Sequence, residues 1–234
     1  MSDGKPRAES VEHRQAMTYA IFALQIHFRN HADVLVSGND FVHFVEGDRR
    51  RYFPPDCYVV FGVYPNKSRD NFKTWEDEAS PAVVFKFTSK ETKREDIGSK
   101  RRDYEQFLKT PEYYLFDPKG EYLKPRLQEL ILEDGTFRDL ALDQNNRLYS
   151  PALDLYLGYE GEQFRFYDPK TGIALISPEE EHGSGAERAE RQLRLEHDLT
   201  GEAKRQVRIE QSHAELAETE MAKLRAEIVA LRQK

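Results

Sequence analysis

Apolar side chains recur every three to four positions near the start of the chain. Met17, Ala20, Ile21, Leu24 and Phe28 fall on one stripe, which predicts an amphipathic helix over residues 9–30. The period then shortens. Ser37-Gly38-Asn39-Asp40 is a turn signal between two short apolar runs, and strands are expected near 41–46 and 57–63. Pro81 opens a run over 83–87. Residues 93–108 have helical composition and are stopped by Pro111; residues 112–116 read as a strand ended by Asp117-Pro118. Short strands follow near 121–132, 136–142, 154–158, 163–168 and 173–176, several of them separated by Gly or Pro turns. A helix, a hairpin, strands flanking one helix and then a run of strands make a mixed α/β or α+β domain.

Composition divides the chain. All 14 Phe, all 12 Tyr and the one Trp lie at or before Tyr167, and no aromatic residue occurs over 178–234. That last stretch is built from strong helix formers, Glu, Arg, Ala, Leu, Lys and Gln. The expected organisation is a folded domain over 1–178, a linker over 179–185 containing Gly183-Ser184-Gly185, and a helical tail over 186–234. In the tail, Val207, Ala214, Met221 and Ile228 form one seam, and Glu210, Ala217, Leu224 and Leu231 a second. Heptad spacing of this kind suits self-association as a coiled coil. A solvated amphipathic helix and a disordered tail are the alternatives.

The single cysteine, Cys57, excludes an internal disulfide framework and fits a reducing cytoplasm. No apolar run reaches the ~18 residues of a membrane span. The charged N-terminal residues do not read as a secretion signal, so a cytoplasmic location is expected. The formal charge of −7 argues against a surface coated uniformly in nucleic acid, not against a local basic patch. There is no phosphate loop, GxGxxG, HExxH, CxxC or GxSxG. His27 and His31 could share a helix face, but no third zinc ligand lies near them in sequence.

Charges inside apolar strands carry more information. Asp56 stands at the mouth of the run Cys57-Tyr58-Val59-Val60-Phe61, where Asp is disfavoured. Lys86 interrupts a second run; alternation groups Val84, Lys86 and Thr88 on one face, opposite Val83, Phe85 and Phe87. A lysine in that setting needs an acidic partner or a route to water, and Asp56 is the candidate partner. Thr92, Asp96, Lys100 and Tyr104 are spaced by four, which lines them up on one helix face. Nine cations cluster around these segments: Arg49, Arg50, Arg51, Lys90, Lys93, Arg94, Lys100, Arg101 and Arg102.

The ordered set Pro55-Asp56, 83–89, Thr92, Asp96, Lys100, Tyr104 and 112–118 (Glu-Tyr-Tyr-Leu-Phe-Asp-Pro) resembles the Uma-type family of bacterial endonucleases, in the PD-(D/E)XK restriction-endonuclease-like superfamily. The similarity runs from about Thr18 to Ser177. It implies a restriction-endonuclease-like core sheet with flanking helices, a helical or coiled-coil tail, and DNA cleavage dependent on Mg²⁺ or Mn²⁺. By this resemblance Asp56 is the metal carboxylate, Lys86 stands at a catalytic position, and Lys100 is the catalytic lysine. Ser89, Asp96 and Tyr104 position substrate or orient Lys100, and Arg50, Lys93 and Arg101 belong to the nucleic-acid surface. One position departs from the family pattern. The family carries Glu in the middle of the second strand, where this chain has Lys86. At 4 Å and an effective dielectric of 20, an ammonium beside a divalent ion costs about 8 kcal/mol. An impaired nuclease is therefore expected, with no metal or a weakly held one, and with weak, salt-dependent, sequence-independent DNA binding. A non-catalytic oligomeric scaffold or DNA-binding interaction protein is the alternative.

Overall fold

The computed structural model describes residues 10–88 and 104–181. Helix α1 (Val11–His27) opens at Ser10, whose side-chain oxygen accepts the His13 backbone N–H at 3.2 Å. That cap satisfies one of the free donors of the first turn. Ala16, Met17, Ala20, Ala23 and Leu24 are buried on the face turned to the core.

A six-stranded sheet follows, in the spatial order β1 (Val34–Ser37), β4 (Cys57–Phe61), β6 (Val83–Phe87), β7 (Glu112–Phe116), β8 (Leu127–Glu133) and β9 (Thr136–Leu140). β6 and β7 are parallel, and every other neighbouring pair is antiparallel. The central strands β6 and β7 are buried along their whole length, as expected for strands covered on both faces. On one face lie α1 and a three-stranded antiparallel sheet of β10 (Leu148–Ser150), β11 (Leu155–Glu160) and β12 (Gln163–Tyr167), packed through Phe85, Phe87, Tyr114, Phe116, Phe164 and Phe166. On the other lies a small sheet in the order β3 (Tyr52–Phe53), β2 (Val42–His43), β5 (Phe72–Lys73).

This second face holds a ladder of stacked rings: Phe107, Phe44, Phe53, Tyr104, Tyr113 and Phe137. Consecutive centroids are 5.4, 4.5, 4.5, 4.8 and 5.9 Å apart, with interplanar angles of 17–28°. Tyr104 and Phe107 belong to a wide helical turn, Tyr104–Leu108, which ends before Pro111. A further helical turn, Pro178–Glu181, closes the described residues.

The strands over 83–87 and 112–116 fall where the sequence pattern places them. Others differ for local reasons. The expected strand near 41–46 pairs only at Val42–His43. The one near 121–132 begins only at Leu127, because Asp117 takes the backbone N–H groups of Tyr122 and Leu123 into a loop. Near 173–176 the pairing is a single bridge between Tyr167 and Ala174. The helix expected over 93–108 lies mostly outside the described residues, as do all of the tail over 186–234 and the linker after Glu181.

Candidate functional site

Asp56 sits one residue before β4, and Lys86 lies on β6. The antiparallel register that pairs Cys57 with Phe85 carries these two residues opposite each other. The Lys86 ammonium donates to Asp56 Oδ1 at 2.6 Å and to the Pro54 carbonyl at 2.9 Å. Asp56 Oδ2 accepts the Phe87 backbone N–H at 2.7 Å. Both residues are 7 % exposed. The pair anticipated from two isolated charges is thus a buried, hydrogen-bonded ion pair. Its geometry meets the condition under which burial of opposite charges is tolerated.

Two residues that sequence pattern alone does not reveal complete the surroundings. His13, in the first turn of α1, brings Nε2 to 3.7 Å from Asp56 Oδ1, and that nitrogen is buried with no hydrogen-bond partner. The signal for it was the Ser10 cap, which fixes where α1 starts and so where His13 stands. Gly38 packs against the Asp56 backbone: a Cβ there would overlap the Asp56 carbonyl and stand 2.8 Å from Ile21 Cδ1. The neighbouring Asn39 N–H donates to the Pro55 carbonyl at 3.2 Å. The turn at Ser37–Asp40 therefore clamps Asp56 from behind.

The other anticipated residues are placed differently. Tyr104 is wholly buried in the ring ladder, stacked between Phe53 and Tyr113. Arg50 is exposed and joined to Asp48 at 3.1 Å. Ser89, Lys93, Asp96, Lys100 and Arg101, together with Thr92, lie outside the described residues. In the 112–118 motif, Asp117 organises a loop, accepting backbone N–H groups from Gly120, Tyr122 and Leu123 at 2.8–3.1 Å. His27 and His31 each pack edge-on against the Phe28 ring.

Glu112 belongs to a second buried polar cluster. It accepts from Ser150 Oγ, from the Ala152 N–H at 2.9 Å and from the Tyr114 hydroxyl at 3.0 Å. The same hydroxyl lies 2.6 Å from Glu129 Oε1, and Glu129 has no exposed surface. Burial pushes the Glu129 carboxyl up to about 7; Tyr114 opposes the rise and Glu112 adds to it. Glu112 faces Val83 across the β6–β7 pairing, three residues along β6 from Lys86, so alternation assigns Glu112 and Lys86 to opposite faces of the sheet.

The donor set at Asp56 does not suit a divalent cation. Each carboxylate oxygen is already engaged, and the nearest side-chain group is an ammonium. Among the described residues, no group of three or more His, Cys, Asp and Glu side chains is arranged to hold a metal ion. Among the same residues, no helix is long and apolar enough to cross a membrane.

Comparison with known proteins identifies the family by sequence. Residues 2–155 match the family model Uma2, described as "Putative restriction endonuclease". A stretch of 85 residues is 34% identical to "Putative core protein L410" of Acanthamoeba polyphaga mimivirus; the match covers 36% of this chain and 12% of that protein's length. Among solved structures, "a putative nuclease belonging to DUF820" from Anabaena variabilis superposes with a TM-score of 0.46 and 12% identity, over 64% of this chain and 76% of the other. The architecture is mixed α+β, and with the family model matched over more than half of its length, this chain belongs to the Uma2 family, described as "Putative restriction endonuclease".

Proposed function

We propose that the chain is a nucleic-acid-binding member of this family whose cleavage site is impaired, because the Lys86 ammonium stands where a catalytic cation would. The observation that carries the reading is the 2.6 Å contact between Lys86 Nζ and Asp56 Oδ1 inside the central sheet. Phosphodiester hydrolysis in such folds draws on a metal ion to polarise water and neutralise developing charge. Here the positive charge at Asp56 is supplied by the protein itself. An ammonium balances the carboxylate without a metal. It cannot lower the pKa of a bound water as a divalent ion does. Binding in this reading falls to exposed cations such as Arg49 and Arg51, and the Asp56–Lys86 pair accounts for the lack of hydrolysis.

Plasmid nicking with Mg²⁺ or Mn²⁺ tests the reading. The natural chain is expected to leave supercoiled DNA intact, and Lys86→Glu, which supplies the second carboxylate, is expected to nick it in a metal-dependent way. Metal-dependent nicking by the natural chain contradicts the proposed role of Lys86. No nicking by either form favours a binding or scaffold protein.

A further inference from the structure

The small sheet β3–β2–β5 turns Val42, Phe53 and Phe72 inward against the main sheet, where all three are buried. Alternation along the same strands assigns Phe41, His43 and Tyr52 to the outer face. These residues form one ring cluster. Phe41 and Tyr52 have centroids 4.5 Å apart, His43 and Tyr52 5.7 Å, and Phe41 and His43 6.4 Å. Phe41 and Tyr52 are each 42% exposed. Two large aromatic residues are thus open to water beside a third ring, and they stand next to the candidate site in the chain. β3 runs directly into the candidate site: Pro54, whose carbonyl holds the Lys86 ammonium, follows one residue after the Tyr52–Phe53 strand, and Asp56 is four residues beyond Tyr52. Four residues of extended chain reach at most about 14 Å. That is the length of about four stacked nucleotides at 3.4 Å each.

Cations border the cluster. Arg49, Arg50 and Arg51 precede Tyr52 and are exposed, Arg50 being paired with Asp48. The Arg51 guanidinium lies 5.3 Å from the ring centroid of Phe107, itself 46% exposed at the outer end of the ring ladder. Rings that accept bases, flanked by guanidinium groups that accept phosphates, are the two components of a surface for unpaired nucleic acid. An intact duplex offers such rings little, because its base faces are already stacked on one another.

Resting on the nucleic-acid reading above, we propose that the outer face of the small sheet, centred on Tyr52 and Phe41, is a stacking platform for an unpaired nucleic-acid strand, and that it delivers that strand to the Asp56–Lys86 site. The substrate class is single-stranded nucleic acid, or the unpaired portion of a partly open duplex.

Fluorescence anisotropy on the full chain at low salt tests this, using a labelled short oligothymidine and a labelled hairpin duplex of matching length. The single strand is expected to bind at least about tenfold more tightly than the duplex. Tyr52→Ala and Phe41→Ala are each expected to weaken single-strand binding about fivefold or more, the effect of one lost stacked base. Tyr52→Trp is expected to retain binding, and unchanged melting temperatures show that the variants are folded. Equal affinity for the two forms overturns the proposal, as do absent binding and single-strand binding that Tyr52→Ala leaves untouched. A Tyr52→Ala variant that changes the sedimenting mass instead identifies the face as a protein interface. The Lys86→Glu nicking assay reads the nuclease ancestry separately, so either claim can fail while the other stands.

Discussion

The sheet carries two buried polar clusters, and they neutralise charge in opposite ways. At Asp56 a carboxylate meets an ammonium and a backbone N–H, so charge is balanced by a permanent cation. At Glu112 and Glu129 two carboxyl groups share one tyrosine hydroxyl, and among the described residues no cation is paired with either. Tyr114 has one hydrogen and cannot donate to both. The arrangement is satisfied when Glu129 holds a proton and gives it to the Tyr114 oxygen, while Tyr114 donates to Glu112. Glu112 is otherwise well supplied, by Ser150 and the Ala152 N–H. Glu129 Oε2 has no hydrogen-bond partner, which suits the carbonyl oxygen of a neutral acid better than half of a carboxylate. Burial alone thus does not mark a reactive site. One cluster is a buried ion pair between β4 and β6, and the other is a carboxyl cluster, the pKa of its Glu129 raised by burial, that joins β7 and β8.

The largest expected effect separates the pair from ordinary surface charge. Lys86→Met leaves Asp56 buried with one backbone donor and with His13 Nε2 at 3.7 Å, and should cost about 3–5 kcal/mol in denaturant unfolding. Adding Asp56→Asn to that variant should recover part of the loss, since the uncompensated charge is then gone. If Lys86→Met costs less than about 1 kcal/mol, the pair behaves as a solvated one.

At the second cluster the expected effect depends on pH. The Glu129 carboxyl is raised from 4.5 to about 7 on folding. Its contribution is fully present below about 4.5 and is lost as pH rises through 7, a loss of about 3 kcal/mol at 1.36 kcal/mol per pH unit. Glu129→Gln mimics the protonated acid. Its unfolding free energy should therefore be flatter than the natural chain's between pH 5 and pH 8, with the relative gain at pH 8. Parallel curves for the two proteins would remove the proton from Glu129.

Gly38→Ala should have a smaller effect, about 1–3 kcal/mol by overpacking. The added methyl displaces the Asp56 backbone and not its side chain. The variant should therefore also disturb nucleic-acid binding at the Asp56 end, whereas Glu129→Gln should not. A Gly38→Ala variant as stable as the natural chain would show that the turn does not clamp Asp56.

Much of the first cluster was legible in the sequence. A lysine between Phe85 and Phe87 and an aspartate before Cys57 are each out of place in apolar strands, and the cost of burying either one alone implies that they meet. The bounds of β6 and β7 follow from uninterrupted apolar runs. The rest depends on contacts that no local pattern encodes. His13 reaches Asp56 from 43 residues away, and Gly38 matters through what would collide with its absent side chain. Glu129 sits in Leu-Gln-Glu-Leu-Ile-Leu-Glu, where apolar residues fall on both faces, so alternation does not reveal that its face is the buried one. β2, β3 and β5 are two residues each, too short for any period to register. Tyr104 shows a feature that four-residue spacing does not carry: the family resemblance implies a substrate-positioning role, and the ring is stacked between Phe53 and Tyr113 in the core.

The central claim is that a single charge, Lys86, occupies the place of a cation. A thermal melt of the natural chain and of Lys86→Glu, each with and without Mn²⁺, tests it most directly. Without metal the variant should melt lower, because two close carboxylates replace an ion pair. Mn²⁺ at 100 times its dissociation constant should return about 2.7 kcal/mol to the variant, and should leave the natural chain unchanged. A Mn²⁺-dependent rise in the natural chain, or none in Lys86→Glu, would contradict the account.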